Sequence, residues 1–519
     1  MGDSIVVVGG GPGGLFLATL LARQDTSATV TVYERNRRSD AFGFGVVFSD
    51  ATLRGIDEID PVLRNGLADH GTHWDRIAVR SNGESHTFGG NGMAAIHRRT
   101  LLNLLQENAD RAGVDVRYST PASPVAELAA AHDLVVGADG TNSTVRDHLG
   151  EHADLGHHVT SADAKFIWFA TEHLFEGLTF LHRASEHGAF AVHGYPISDE
   201  LSTFIVETDA ETWQRAGLDR FDVTQPPGPS DELSQAYLTK LFADDIGGAP
   251  LVANNSRWGS FRTRRTDTWF ADNVVLLGDA VHTAHFSVGS GTKMALEDAI
   301  GLAHQVAQHD DLPTALLAYQ EARKPAVARI QDAAVPSLAW WERFGKYQRA
   351  LDPFTFAFHF FSRSIPVDKI ARRDPELVST ARRRWSAEHG TDALRTPLQI
   401  AGERTTGRVL ELSADRSWLL DDGRRLARVM ASPEQVRGIP LITAPQDDHE
   451  VAAAAEALPP DGAVVISGGT ALTRTLLSEE ARLHRGLVSV VVDDLSDAAV
   501  ETALLAGRLD AAARPEAVR

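Results

Sequence analysis

The sequence predicts an α/β protein: a Rossmann-like domain interrupted by a mostly antiparallel β-sheet, then a helical segment and a small C-terminal α/β domain. Three observations carry this. A strand–glycine turn–helix–strand unit opens the chain between Ile5 and Glu34. Residues from about 160 to 260 turn to short aromatic and β-branched runs. After Arg395 the composition becomes rich in Ala, Asp and Arg.

The elements follow in order. Ile5-Val6-Val7-Val8 is a continuous apolar run, as expected of a strand buried on both faces of a parallel sheet. Gly9 to Gly14 follows, and Leu15–Arg23 reads as an amphipathic helix. Thr29–Tyr33 is β-branched and aromatic, a second strand ending at Glu34. Arg98–Arg111 reads as a helix with Leu101, Leu102, Leu104 and Leu105 on its apolar side. Leu134-Val135-Val136 and Val274–Leu277 are short strands that run into Gly/Asp turns. Between them, Lys165–Ala170, Ala189–Tyr195 and Thr203–Glu207 suggest the inserted antiparallel sheet, with the proline-rich loop Pro226–Ser230 at its edge. Helical patterns dominate from Thr292 to about Arg384; Trp340, Trp341 and Phe354, Phe356, Phe358, Phe360 and Phe361 are expected to pack in cores. The expected boundaries are 1–160 with 255–340 for the nucleotide domain and 161–254 for the inserted substrate sheet. A helical segment follows at 341–390 and the C-terminal domain at 391–519.

Composition narrows the function. The 519 residues suggest about three domains. Fifty Lys and Arg against 70 Asp and Glu give a net charge of −20, which argues against a nucleic-acid binder. There is no cysteine, so disulfides, thiolate metal sites and Cys-x-x-Cys redox centres are excluded. No apolar run reaches the ~18 residues of a membrane span. No basic segment precedes the first strand, so a cytoplasmic protein is expected.

Gly9-x-Gly11-x-x-Gly14, between a strand and a helix, is a dinucleotide fingerprint. Its glycines permit the turn, close approach of backbone to a pyrophosphate and close helix–strand packing. Glu34, 20 residues after Gly14, is placed to accept hydrogen bonds from ribose hydroxyls, and it disfavours a 2′-phosphate; FAD or NAD fits. Two further segments extend the pattern. Asp133–Arg146 contains Asp139-Gly140; Val274–His282 contains Gly278-Asp279 and continues to Gly289-Ser290-Gly291-Thr292-Lys293-Met294. In this order the three elements resemble the single-component FAD-dependent aromatic hydroxylases, the p-hydroxybenzoate hydroxylase-like family, over about residues 4–385.

That resemblance implies roles. Gly9, Gly11, Pro12, Gly13 and Gly14 would hold the FAD pyrophosphate, and Glu34-Arg35 the adenosine ribose. Arg98 matches an FAD-contacting arginine, and Val125 a backbone contact to adenine. Asp139-Gly140 would serve both FAD and the nicotinamide nucleotide, and Asp279 a ribityl or ribose hydroxyl. Gly289, Ser290, Gly291, Thr292 and Lys293 would line the isoalloxazine, with the following helix N-terminus favouring negative charge on the reduced ring. Gly43–Asp50 and His285–Thr292 are similar to a subgroup containing salicylyl-CoA 5-hydroxylase and the hydroxylase half of 2-aminobenzoyl-CoA monooxygenase; hydroxylases of tryptophan-derived pigments share the second segment. Gly45 and Val46 would then be backbone at the flavin, where glycine allows close approach.

The resemblance implies NADH, with NADPH as alternative, as reductant, O2 as co-substrate and a flavin C4a-hydroperoxide that hydroxylates salicylyl-CoA to gentisyl-CoA. A free aromatic or indole substrate, or a non-oxygenating FAD protein, are the alternatives. His285 is the candidate for contacting the substrate phenol, against a packing or FAD-facing role. A CoA thioester needs a basic path; Arg257, Arg262, Arg264 and Arg265, or Arg343, Lys346 and Arg349, could supply one. His282-x-x-His285 lacks a third ligand, so no metal is expected. Arg382-Arg383-Arg384 reads as a solvated helix face. Thr396–Arg408, Val465–Gly469 and Ala506–Asp510 resemble pieces of an old-yellow-enzyme barrel, but about 120 residues are too few for eight βα units, so a degenerate remnant for packing or assembly is expected. A homo-oligomer is compatible with this reading.

Overall fold

In a computed structural model, residues 4–225, 228–286, 289, 291–430 and 438–516 are described. The chain divides into two compact units, Met1–Ile77 with Asn91–Glu342, and Ala78–Gly90 with Arg343–Arg519.

In the first unit, a six-stranded sheet among the described residues runs Phe270–Ala271, Val274–Leu276, Leu134–Gly137, Ser4–Val8, Thr29–Tyr33, Asp115–Arg117. All neighbours are parallel except the first pair. The central strands are buried on both faces; Val6, Val7, Val135 and Val136 are fully inaccessible. Helix Pro12–Gln24 is buried from Gly13 to Ala22, as the sheet and neighbouring helices enclose it. Helix Arg98–Arg111 buries Leu101 and Leu105; Leu102 and Leu104 lie at the margin of the same core.

The inserted sheet obeys a period of two. Its register sets Trp168 beside Ile205, Ile205 beside His193 and His193 beside Phe180. One face therefore carries Phe166, Trp168, Ile205, Glu207, His193, Tyr195, Phe180 and His182. The opposite face carries Ile167, Phe169, Leu181, Phe190, Val192, Phe204 and Val206, which pack with Leu238, Phe242 and Ile246 into a core of their own. Strand Leu178–Ser185, absent from the sequence expectation, pairs antiparallel with Gly188–Pro196. The long helix Leu312–Trp341 ends on the buried Trp340 and Trp341.

In the second unit, helix Pro353–Phe361 buries all five of its phenylalanines. Arg382, Arg383 and Arg384 are exposed and paired with Glu501, Glu376 and Asp352. Beyond them the chain forms a closed barrel, seven-stranded among the described residues, rather than the eight βα units of a complete one. It closes where Val409–Leu412 pairs parallel with Ala511–Pro515. Its interior holds Leu410, Leu412, Leu419, Leu426, Val429, Ile439, Val465, Val490 and Ala511.

One ionic network fastens this unit internally. Buried Glu479 accepts from Tyr347 Oη (2.5 Å) and His359 Nε2 (3.0 Å) and lies 3.5 Å from Arg508 Nε. Arg508 also donates to the His359 carbonyl and to Ser362 Oγ. Burial would raise the Glu479 pKa, but His359, Arg508 and Tyr347 outweigh it and hold the carboxyl below its ordinary 4.5. Its contribution to stability is therefore full at neutral pH and lost as pH falls through the depressed value. Glu479→Ala strands a buried guanidinium and is expected to cost about 3–5 kcal/mol, read as a lower denaturant midpoint for the second unit. An unchanged midpoint at pH 7 overturns this account of the network.

Candidate functional site

The glycine turn at the end of strand Ser4–Val8 has no room for side chains. Gly9 has φ +114°, and a Cβ there would lie 2.3 Å from the Ala138 carbonyl oxygen; at Gly14 it would lie 2.1 Å from the Gly9 oxygen. A Cβ at Gly13 would meet Leu277 at 2.8 Å. Gly11 faces open space, N-caps helix Pro12–Gln24 with no side-chain cap, and no acidic residue occupies the first turn. Backbone N–H groups and the positive end of the helix dipole are thus left for an anion. Glu34 ties the second strand to this turn: Oε2 accepts the Gly10 N–H (2.8 Å), and Oε1 accepts from Asn36 N (2.8 Å) and Nδ2 (2.7 Å). Arg35 beside it is exposed.

Arg98 and Asp279, distant in sequence, act on each other here. The Asp279 side chain is accessible to solvent, yet surrounding protein desolvates it and raises its pKa, with His282 and Arg98 pulling the other way. Arg98, half-buried, is desolvated in turn and feels Asp279 and Tyr195. Its backbone N–H donates to the Phe44 carbonyl (2.7 Å), bringing the Gly43–Gly45 segment alongside. Here the accessible acid and the half-exposed arginine act on each other, each desolvated by the surrounding protein.

Other expected residues sit as follows. Asp139 Oδ2 accepts from Thr144 N (2.7 Å) and Oγ1 (3.0 Å) at the start of helix Thr144–His152, while its buried Oδ1 has no protein partner. Gly140, Gly289 and Gly291 face open space. Val125 opens helix Val125–Ala131 with its side chain in the core. Thr292 and Lys293 lie in the first turn of helix Gly291–Gln308, and Lys293 reaches Glu297. Ser290 lies outside the described residues. Val46 is buried in strand Gly45–Ser49. At Gly45 a Cβ would lie 2.3 Å from Ile197 Cγ2 and close to Thr203, so packing there leaves no room for a side chain.

The histidines of the expected pair diverge. His282 Nε2 meets Asp298 at 2.7 Å, whereas His285 Nε2 lies 3.3 Å from Glu207 Oε1. Glu207 Oε2 also accepts from His193 Nε2 (3.1 Å). Burial would raise the Glu207 pKa, but the two imidazoles hold it at about 2. Aromatic rings enclose this trio: Phe286 stacks on His285 at 4.4 Å, Phe261 meets it edge-on at 5.0 Å, and Trp341 lies 4.2 Å from His193. Phe286 packs in one cluster with Phe166, Trp168, Trp74 and Tyr195. The indole N–H groups of Trp74 and Trp168 are buried there without a protein acceptor. Sequence reasoning missed Glu207, His193, Trp74 and Trp168; an acid closing the apolar run Thr203–Glu207 was the available signal.

Among the basic candidates, Arg257 donates to the Gln225 and Pro229 carbonyls and Arg265 pairs with Asp332. Arg264, 6% exposed, approaches His157 Nε2 at 3.4 Å and keeps an unpartnered buried Nε. Arg262 is exposed. In the second unit Lys346 pairs with Glu480, and Arg343 donates to the Asp448 carbonyl.

Residues 3–334 match the family described as FAD binding domain. The chain is 49% identical, over 98% of its length and 98% of the relative's, to a salicyloyl-CoA 5-hydroxylase of a Streptomyces species. It is 35% identical, over 65% of its length and 89% of the relative's, to a 3-hydroxy-4-methyl-anthranilyl-(aryl-carrier protein) 5-monooxygenase of Streptosporangium sibiricum. Among solved structures, a tetrameric 2-methyl-3-hydroxypyridine-5-carboxylic acid oxygenase matches with a TM-score of 0.53 at 19% identity, covering 68% of this chain and 97% of that one; this shows a shared fold.

Asp279→Ala removes the enclosed carboxylate and is expected to weaken FAD binding about 10- to 100-fold, measured by flavin fluorescence on reconstitution. Unchanged affinity would remove Asp279 from the site.

Proposed function

The chain belongs to the FAD binding domain family and is an FAD-dependent aromatic monooxygenase, and on that premise we propose that it hydroxylates the aryl ring of salicylyl-CoA at position 5. The observation that carries the substrate is the 49% identity to a salicyloyl-CoA 5-hydroxylase, which extends over 98% of both chains and so includes the C-terminal barrel.

The cofactor-binding residues fit this reading. The uncapped helix at Gly11, with Pro12 and Gly13, takes the FAD pyrophosphate; Glu34 and Arg35 take the adenosine ribose. Asp279 and Arg98 hold the ribityl side, Val125 meets the adenine, and Asp139-Gly140 serves FAD and the nicotinamide nucleotide. Gly45, Val46 and Gly289–Lys293 border the flavin ring. Once reduced by NADH or NADPH, bound FAD supplies the activation of O2 and delivery of one oxygen atom to the ring.

The remaining work falls to the chain. Phe166, Ile205, Tyr195 and Phe286 make a wall that excludes water and orients the ring carbon. The Trp74 and Trp168 N–H groups supply donors for the substrate's carbonyl and hydroxyl oxygens, removing the cost of leaving them unpaired. His285 contacts the phenol. Arg257, Arg262, Arg264 and Arg265 supply positive charge for CoA phosphates against the net −20. Among the described residues no helix is long and apolar enough to cross a membrane.

NADH and NADPH oxidation measured with salicylate, salicylyl-CoA, 2-aminobenzoyl-CoA and tryptophan at equal concentration tests the reading. Stoichiometric hydroxylation of salicylyl-CoA is expected; equal turnover of free salicylate overturns the thioester assignment. Trp168→Phe is expected to raise KM for the thioester about 10-fold, the worth of one neutral hydrogen bond; an unchanged KM removes the indole from substrate recognition.

A further inference from the structure

No metal is expected at His282 and His285, and those two rings turn to different acids. A second pair stands elsewhere. Helix Thr144–His152 ends in the run His148-Leu149-Gly150-Glu151-His152. Residues three and four apart on a helix share a face, so both imidazoles and the carboxylate point the same way. A His-x-x-Glu-His spacing on a helix is one of the arrangements by which proteins bind zinc. Leu149 inside the run is 4% exposed and belongs to the core of the first unit, which fixes how the helix is rotated. His148 is half-buried, and Glu151 and His152 are exposed. One ligand atom from each of the three lies within 4.8 Å of the other two. The two rings stand 4.6 Å apart, centroid to centroid.

The local hydrogen bonds prepare a ligand. His152 Nδ1 lies 2.9 Å from the His148 carbonyl oxygen. A carbonyl only accepts, so Nδ1 carries the proton and Nε2 keeps its lone pair. A metal-binding imidazole is typically held in this way, its other nitrogen donating to backbone. The site also falls in the last turn of the helix, where the helix dipole favours a cation. Neighbouring ionisable groups are occupied with other partners. Asp147 accepts from Arg146 (3.0 Å) and Asp154 from the Gly156 N–H (2.9 Å). His157 meets Thr266 Oγ1 at 3.1 Å and Arg264 Nη1 at 3.4 Å.

We propose that His148, Glu151 and His152 form a site for a divalent transition metal of the zinc class, with water as the fourth ligand. Two imidazole nitrogens and one carboxylate oxygen suit Zn2+, Cu2+ or Ni2+; Mg2+ and Ca2+ require oxygen ligands throughout. Ligands about 2.0–2.1 Å from a tetrahedral zinc stand roughly 3.4 Å from one another. Side-chain torsions of the exposed Glu151 and His152 close the remaining gap. The bound ion staples the final turn of this helix. Its first turn is already held by Asp139, which accepts the Thr144 N–H at 2.7 Å, so side chains then fix both ends.

The test uses tag-free, FAD-loaded protein stripped of metal with a chelator and titrated with Zn2+ in competition with a chromophoric chelator. One Zn2+ per chain is expected to bind at micromolar concentration, undisturbed by a large excess of Mg2+ or Ca2+. His148→Ala and His152→Ala are each expected to weaken binding by at least about 10-fold, and Glu151→Gln by less. FAD content is measured in every variant as the check on folding. With Cu2+ as a probe, electron paramagnetic resonance is expected to show two coordinating nitrogens in wild type and one in either alanine variant. Zinc affinity unchanged in the His148→Ala/His152→Ala double variant overturns the proposal, as does displacement of Zn2+ by Mg2+. A wild-type Cu2+ spectrum without nitrogen splitting overturns it independently of any variant.

Discussion

Everything in the first unit hangs on the place where strand Ser4–Val8 gives way to helix Pro12–Gln24. Backbone packs there against backbone, with the Gly9 position facing the Ala138 carbonyl and the Gly14 position facing Gly9. Two segments more than a hundred residues apart, the glycine turn and the end of strand Leu134–Gly137, are thereby packed backbone to backbone. The Gly10 N–H to Glu34 hydrogen bond then locks the second strand to the turn. A carboxylate that would meet a ribose is thus also a brace for the loop that would meet a pyrophosphate. Binding and folding draw on the same atoms.

The inserted sheet solves a different problem by alternation alone. One set of side chains, Phe169, Phe190, Phe204 and Val206 among them, makes a core with the helix below. The other set carries every polar group of chemical interest, from Trp168 to Glu207. A one-residue slip in register would exchange the two sets. The many paired residues between His158–Thr171, Ser202–Thr208 and Gly188–Pro196 guard against that slip.

Local patterns were legible in the sequence to the residue: Thr29–Tyr33 and Arg98–Arg111 have the bounds that their β-branched and apolar residues suggest. So were the glycine turn and the Gly278-Asp279 turn, because close backbone approach restricts the residue type. Meetings set by register were not legible. Glu207, His193 and His285 come from two strands and a loop, and nothing in the spacing 193, 207, 285 announces one carboxylate with two donors. Gly45 was legible as a glycine that must be a glycine; that Ile197 and Thr203 also press on its position was not. Strand Leu178–Ser185 escaped because its His182 and Arg183 break the apolar run. The barrel fragments were visible, but its closure depends on pairing Val409–Leu412 with residues about a hundred positions later.

The aliphatic filling of that barrel has a consequence for how its sequence is free to vary. Residues such as Leu419, Val465 and Val490 answer only to volume and shape, and volume-conserving exchanges in such cores generally cost less than about 1.5 kcal/mol. The Glu479 cluster at its flank obeys a different rule, since Glu479 and Arg508 balance each other's charge and Tyr347 and His359 donate to the same carboxylate, so a change in one member leaves a buried polar partner unmatched. Divergent copies of this domain should therefore drift smoothly in the barrel's lumen while the quartet of Tyr347, His359, Glu479 and Arg508 persists or disappears as a block.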